Sequence, residues 1–124
     1  MPKILVVDDH AENRESLKRL LEHRGFAVIT AEDGLQGIEV AGAERPDLIL
    51  MDVNMPKLDG WESTRRIHKL DGLTALPVIA LTAYAEKRDR ETAIECGCVD
   101  FHIKPVDFER LVEQIEDALR GLLN

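Results

Sequence analysis

Apolar and polar residues follow two alternating rhythms along this chain. Residues 4–7 (ILVV), 48–51 (LILM) and 78–81 (VIAL) are unbroken apolar runs, the pattern of strands buried on both faces of a parallel sheet. Residues 26–31 form a fourth run. Val99, Phe101 and Ile103 alternate with Asp100 and His102, which predicts a strand with one wetter face at a sheet edge. Between these runs apolar residues recur at helical spacing: Leu17, Leu20 and Leu21; Leu35, Ile38 and Ala41; Ile67 and Leu70; Ala93 and Ile94. The clearest helix is the last, in which Phe108, Leu111, Val112, Ile115 and Leu119 share one face and Glu109, Arg110, Glu113, Glu116 and Asp117 the other. Gly25 and Gly97 stand where a helix end favours a left-handed residue, and Pro46 and Pro77 lie just before strands.

The element order is therefore βαβαβαβαβα. Right-handed crossovers place helices on both faces and predict an α/β, flavodoxin-like, doubly wound five-stranded parallel sheet of order 2-1-3-4-5 with five helices. In that order the first, third, fourth and fifth strands end in residues able to do chemistry: Asp8 and Asp9, Asp52, Thr82 and Lys104. The second strand, set away from the crevice, is followed only by Glu32 and Asp33. Singly, an aspartate after a strand is commonly a turn or helix-capping residue. Together, the four strand ends point to one site.

Composition narrows the chemistry. The 124 residues suffice for one domain with a real core, and 16 basic against 24 acidic residues give a net charge of −8, which argues against direct nucleic-acid binding. Cys96 and Cys98 lack the further cysteines of a thiolate cage and read as reduced, partly buried packing residues. Neither a secretory leader nor an apolar stretch of about 18 residues is present, so a cytoplasmic protein without a membrane span is expected.

Three clustered carboxylates repel one another by ~4 kcal/mol per pair at about 4 Å and an effective dielectric of about 20. They call for a cation. A hard divalent ion such as Mg²⁺ takes one or two carboxylates plus carbonyl and phosphate oxygens, and Lys104 supplies a second positive charge. Asp52 is the candidate nucleophile, since aspartyl phosphates form when a metal neutralises the phosphoryl oxygens. The loop 53–60 offers backbone carbonyls such as that of Asn54, while Thr82 and Lys104 can donate to an attached phosphoryl group.

The segments VVDD, LILMDVNMPKLDGWE, VIALTAYA and DFHIKPVD resemble the receiver domain of two-component response regulators, of the chemotaxis-regulator-like single-domain kind. The resemblance covers the whole chain, so a single receiver domain over 1–124 with no attached output domain is expected, either acting through protein contacts or as an excised piece of a larger regulator or hybrid kinase. It implies that a histidine kinase or histidine phosphotransfer protein donates a phosphoryl group to Asp52 in a Mg²⁺-dependent reaction, with Mn²⁺ able to substitute. Asp9 would ligate the ion directly, Asp8 mainly through water, and Asp52 and the Asn54 carbonyl would complete the set. Thr82 and Phe101 match the switch pair, phenylalanine standing where tyrosine is frequent. Lys104-Pro105 matches the family's cis peptide. Asn54 and Tyr84 match the positions that tune phosphoryl lifetime. A switch that catalyses only its own phosphorylation and dephosphorylation is implied, monomeric or weakly dimeric, passing its signal to a downstream protein through the fourth helix, fifth strand and fifth helix.

Two rivals differ in class. An aspartyl-phosphate phosphohydrolase would need an acid two residues after the nucleophile, where Asn54 stands. A flavin or dinucleotide module would need a glycine-rich turn after the first strand, where Asp8 and Asp9 repel phosphate. Of the remaining residues, His10 reads as a solvated residue at the start of the first helix, Trp61 as partly buried packing, and His23, His68 and His102 as surface or filler positions. Lys87, Arg88 and Arg90 read as a solvated cluster on the face that receivers alter on activation.

Overall fold

The apolar runs become β1 (Lys3–Val7), β2 (Ala27–Ala31), β3 (Leu48–Asp52), β4 (Val78–Thr82) and β5 (Asp100–Ile103). They alternate with α1 (Ala11–His23), α2 (Gly34–Glu44), α3 (Gly60–His68), α4 (Lys87–Cys96) and α5 (Phe108–Leu119). The computed structural model describes residues 1–83 and 87–121, with the backbone alone at 87 and 88. The strands form one parallel sheet in the order β2-β1-β3-β4-β5, as the alternation predicts. Val7 lies opposite Met51, Asp52 opposite Leu81 and Thr82 opposite Ile103, so the residues ending these strands share one edge. No helix among the described residues is long and apolar enough to cross a membrane.

Each unbroken run serves two cores, because neighbouring residues of a strand point to opposite faces. Ile4, Val6, Leu48, Leu50, Ile79 and Leu81 pack with Leu17 and Leu21 of α1 and Leu111 and Ile115 of α5. Leu5, Val7, Ile49, Met51 and Val78 pack on the opposite face with Ala41 of α2 and Ile67 of α3. Fully burying one such side chain stabilises the fold by about 1.5–3 kcal/mol relative to exposing it. Leu20 is 45% and Ile94 74% exposed: although they fall in the periodic runs, the buried face takes Leu17 and Leu21, four residues apart, and Ala93 in place of Ile94.

Caps set where the helices begin. The Asp33, Asp59 and Asp107 side chains accept from the N–H groups of Gln36, Glu62 and Arg110 at the starts of α2, α3 and α5, each satisfying an orphan donor of the first turn. Gly25, at φ +93°, follows α1 and takes the left-handed conformation that ends it.

The expected wet face of β5 is corrected. The strand is at the edge, but Asp100 and His102 lie on its α5 side; His102 is buried, whereas Ile103 is 41% exposed. The reason is Gln114 on α5, which hydrogen-bonds both His102 and Asp100, so polar groups occupy the inner face. His102 is not a surface residue.

Gly60 opens α3 against the backbone of β3. A Cβ there would press into the Asp52 carbonyl oxygen and the Val53 backbone, so Gly60→Ala is expected to destabilise the protein by about 2 kcal/mol. In α2, a Cβ at Gly42 would meet Leu70 Cδ1 at an ordinary 3.6 Å, and Gly42→Ala is expected to be neutral or to stabilise by about 0.5 kcal/mol. Urea denaturation of both variants checks the contrast; equal effects would contradict it.

Candidate functional site

The sheet's carboxyl edge brings together the five residues singled out at the strand ends. Asp8 and Asp52 are each only 1% exposed, and Thr82 is buried beside them. The two loops that follow treat their aspartates alike. The His10 N–H donates to Asp8 Oδ1 at 2.8 Å, and the Asn54 N–H donates to Asp52 Oδ1 at 3.0 Å, each backbone turning back on the carboxylate two residues earlier. Lys104 reaches across from β5, its Nζ 3.1 Å from Asp52 Oδ2. Its own N–H donates to the Thr82 carbonyl at 2.7 Å, which ties the end of β5 to β4. The Lys104–Pro105 peptide bond is cis.

Electrostatic crowding is evident at Asp8. Burial raises its carboxyl pKa above the ordinary value, the His10 N–H opposes that rise, Asp52 adds to it, Lys104 opposes it and Asp9 adds a little more. Asp9 Oδ1 is buried without a hydrogen-bond partner. The His10 ring, two-thirds exposed, lies with Nδ1 3.2 Å from Asp9 Oδ1 and 3.5 Å from Asp8 Oδ1. Single ligand atoms from Asp8, Asp9, His10 and Asp52 all fall within 4.8 Å of one another. Crowded carboxylates, an orphaned buried oxygen and a predominantly oxygen donor set fit a hard divalent cation such as Mg²⁺.

Loop 53–60 is pinned at both ends. The Val53 N–H donates to the Leu81 carbonyl at 3.1 Å, the Gly60 N–H donates to the Val53 carbonyl at 3.3 Å, and Met55 is buried between them. Asn54 itself is exposed at the rim. Tyr84, the other position matched to lifetime tuning, lies outside the described residues, as do the side chains of Lys87 and Arg88.

Phe101 is half-buried, with the Arg90 guanidinium carbon 5.2 Å from its ring centroid, a cation–π geometry. Trp61 is half-buried. Both cysteines are free; burial pushes the Cys96 thiol up and that of Cys98 up to about 12, so neither is an activated thiolate.

Sequence reasoning passed over Arg14. Its Nη1 donates to the Asp8 carbonyl at 2.9 Å and its side chain is 12% exposed, so it locks α1 to the end of β1. The available signal was its place in the first turn of a helix, where the dipole disfavours a cation. His102 and Gln114 were likewise missed, because neither stands at a strand end.

Residues 4–116 match the response regulator receiver domain. The polar-differentiation response regulator DivK of Brucella anthropi is 38% identical over 120 residues, covering 96% of this chain and 98% of DivK. PilH of Pseudomonas aeruginosa is also 38% identical, over 121 residues that cover 98% of this chain and 100% of PilH. Among solved structures, the chemotaxis protein CheY4 of Vibrio cholerae superposes with a TM-score of 0.90 at 28% identity, covering 94% of this chain and 97% of CheY4. The receiver domain of a signal transduction histidine kinase from Syntrophus aciditrophicus gives 0.88 at 34% identity, with 98% and 92% covered. Sheet order, site placement and relatives thus agree, and the chain belongs to the response regulator receiver domain family of two-component signalling.

Proposed function

We propose that the chain is a phosphorylation-controlled switch whose phosphoacceptor is Asp52. The observation that carries this reading is the buried Asp52 carboxylate, paired with Lys104 at 3.1 Å inside a cluster of aspartates. A phosphohistidine on a histidine kinase or phosphotransfer protein is the donor: an Asp52 oxygen bonds to phosphorus, the P–N bond breaks, and the histidine leaves. Asp8, Asp9, Asp52 and the Asn54 carbonyl would hold Mg²⁺, with Mn²⁺ as a substitute. When bound, the ion neutralises phosphoryl oxygens so that an anionic donor can approach a carboxylate.

The remaining work falls to the chain's own side chains. Lys104, already at Asp52, donates to an oxygen of the attached group, and the Thr82 hydroxyl donates to another. Thr82 movement then shifts Phe101 and alters the surface of α4, β5 and α5, to which a downstream protein binds. Asn54 and Tyr84 set how long the phosphoryl group survives. Asn54 carries no acid to protonate a leaving group, which separates this switch from a phosphohydrolase.

Incubation with acetyl phosphate and Mg²⁺, followed by intact-mass spectrometry, is expected to show one phosphoryl adduct in the wild type and none in Asp52→Asn; an adduct persisting in the variant would overturn the assignment. Lys104→Ala is expected to slow adduct formation at least tenfold, on the order of a lost charge-assisted contact.

Asp8 gives a pH-dependent test. Its folded-state pKa is raised, so the stability gained by its protonated form is complete below the ordinary carboxylate value and is lost as pH rises through the folded value. At neutral pH the ionised group therefore destabilises the metal-free protein. With chelator present, Asp8→Asn is expected to be more stable than wild type near pH 7, a difference that shrinks as pH falls towards the ordinary carboxylate range. Added Mg²⁺ is expected to stabilise the wild type and leave the variant unchanged. Urea denaturation under the three conditions checks each part.

A further inference from the structure

Strand β5 and helix α5 meet across two buried polar side chains, His102 at 5% exposure and Gln114 at 3%. Such groups are costly in an apolar layer unless their hydrogen bonds are made. Here they are made. Gln114 Nε2 donates to Asp100 Oδ2 at 2.7 Å and to the Phe101 carbonyl at 2.9 Å, which leaves Oε1 facing His102 Nδ1 at 2.7 Å. On the other side of the ring, the Asp107 N–H donates to Nε2 at 3.1 Å. An amide oxygen can only accept, so Nδ1 carries a proton; a backbone N–H can only donate, so Nε2 carries none. Both neighbours demand the same neutral tautomer.

The ring spans the loop that delivers Lys104. Residue 104 is held to β4 through the Thr82 carbonyl, and the bond from Asp107 to His102 closes the turn from 102 to 107 behind it. Asp107 is also the residue whose side chain caps α5, and Gln114 lies further along that helix. One imidazole therefore references the Lys104 loop and α5 to each other. We infer that His102 is a positioning residue for phosphoryl acceptance: locked as the Nδ1–H tautomer between Gln114 and the Asp107 N–H, it holds the loop that presents Lys104 to Asp52. This rests on the phosphoacceptor reading above and extends it, because the ammonium's placement becomes a property of the β5–α5 contact.

Two measurements test the inference. Long-range ¹H–¹⁵N spectra of the wild-type protein near neutral pH are expected to show His102 protonated at Nδ1; protonation at Nε2 alone would overturn it, whatever the variants do. Phosphorylation by acetyl phosphate at saturating Mg²⁺ is then compared in wild type, His102→Leu, Gln114→Leu and the double variant. Each single change is expected to slow adduct formation about tenfold, as misplacement of a positioned group does, and the double variant is expected to be no slower than the slower single. Mg²⁺ affinity by calorimetry is expected to weaken no more than about twofold, because Asp8 and Asp9 follow β1 and Asp52 ends β3, away from the β5–α5 contact. Unchanged rates in folded variants, or rate and Mg²⁺ affinity falling together, would overturn the positioning role. A wild type that takes no phosphoryl group would instead overturn the phosphoacceptor reading itself, a result distinct from loss confined to the variants.

Discussion

Carboxyl groups packed side by side at the end of an apolar sheet constrain everything around them. The runs that make β1 and β3 strands buried on both faces also strip water from Asp8 and Asp52, each 1% exposed, and desolvation is the leading cause of the raised Asp8 pKa. Relief comes from the surroundings. Two loops turn an N–H back on the preceding aspartate, Lys104 reaches past β4 from the loop after the edge strand β5 to Asp52, and Asp9 Oδ1, buried without a hydrogen-bond partner, marks room for a cation. The repulsion that would unsettle an ordinary core here selects its own counter-charges.

That constraint explains why the loops are so firmly held. The β3–α3 connection is fixed by the Leu81 carbonyl at one end and by the close approach of Gly60 to the Asp52 backbone at the other. The loop after β5 is fixed by the Thr82 carbonyl and by the His102 ring. Arg14 adds a third fastening, from α1 to the Asp8 carbonyl. Precise placement of charge needs rigid supports, and these three lie on different elements.

The fold was legible in the sequence because continuous apolar runs alternating with helical periodicity admit few topologies, and the residues at 8, 9, 52, 82 and 104 could be placed at one edge from that topology. Less visible were positions whose role depends on a partner distant in the chain. His102 reads as polar and Ile103 as apolar, yet the histidine is inside and the isoleucine 41% exposed, because Gln114, twelve residues on, supplies the hydrogen bonds. Leu20 and Leu21 are equally apolar, and only the packing of α1 decides that Leu21 is buried. Arg14 looks like a surface residue until the end of β1 is placed beneath it. Periodicity reports which elements form; pairings between elements decide which polar side chains are drawn inside.

The sheet divides the interior into two compartments that share strands but not side chains, one lined by α1 and α5, the other by α2 and α3. Substitutions in separate clusters without shared partners combine nearly additively. Variation can therefore accumulate on the α1 and α5 side, where surfaces for new associations can emerge, without forcing a compensating change behind the sheet. The shared strands meanwhile keep the aspartates in register. A fold divided in this way can diversify its contacts while its chemistry stays in place.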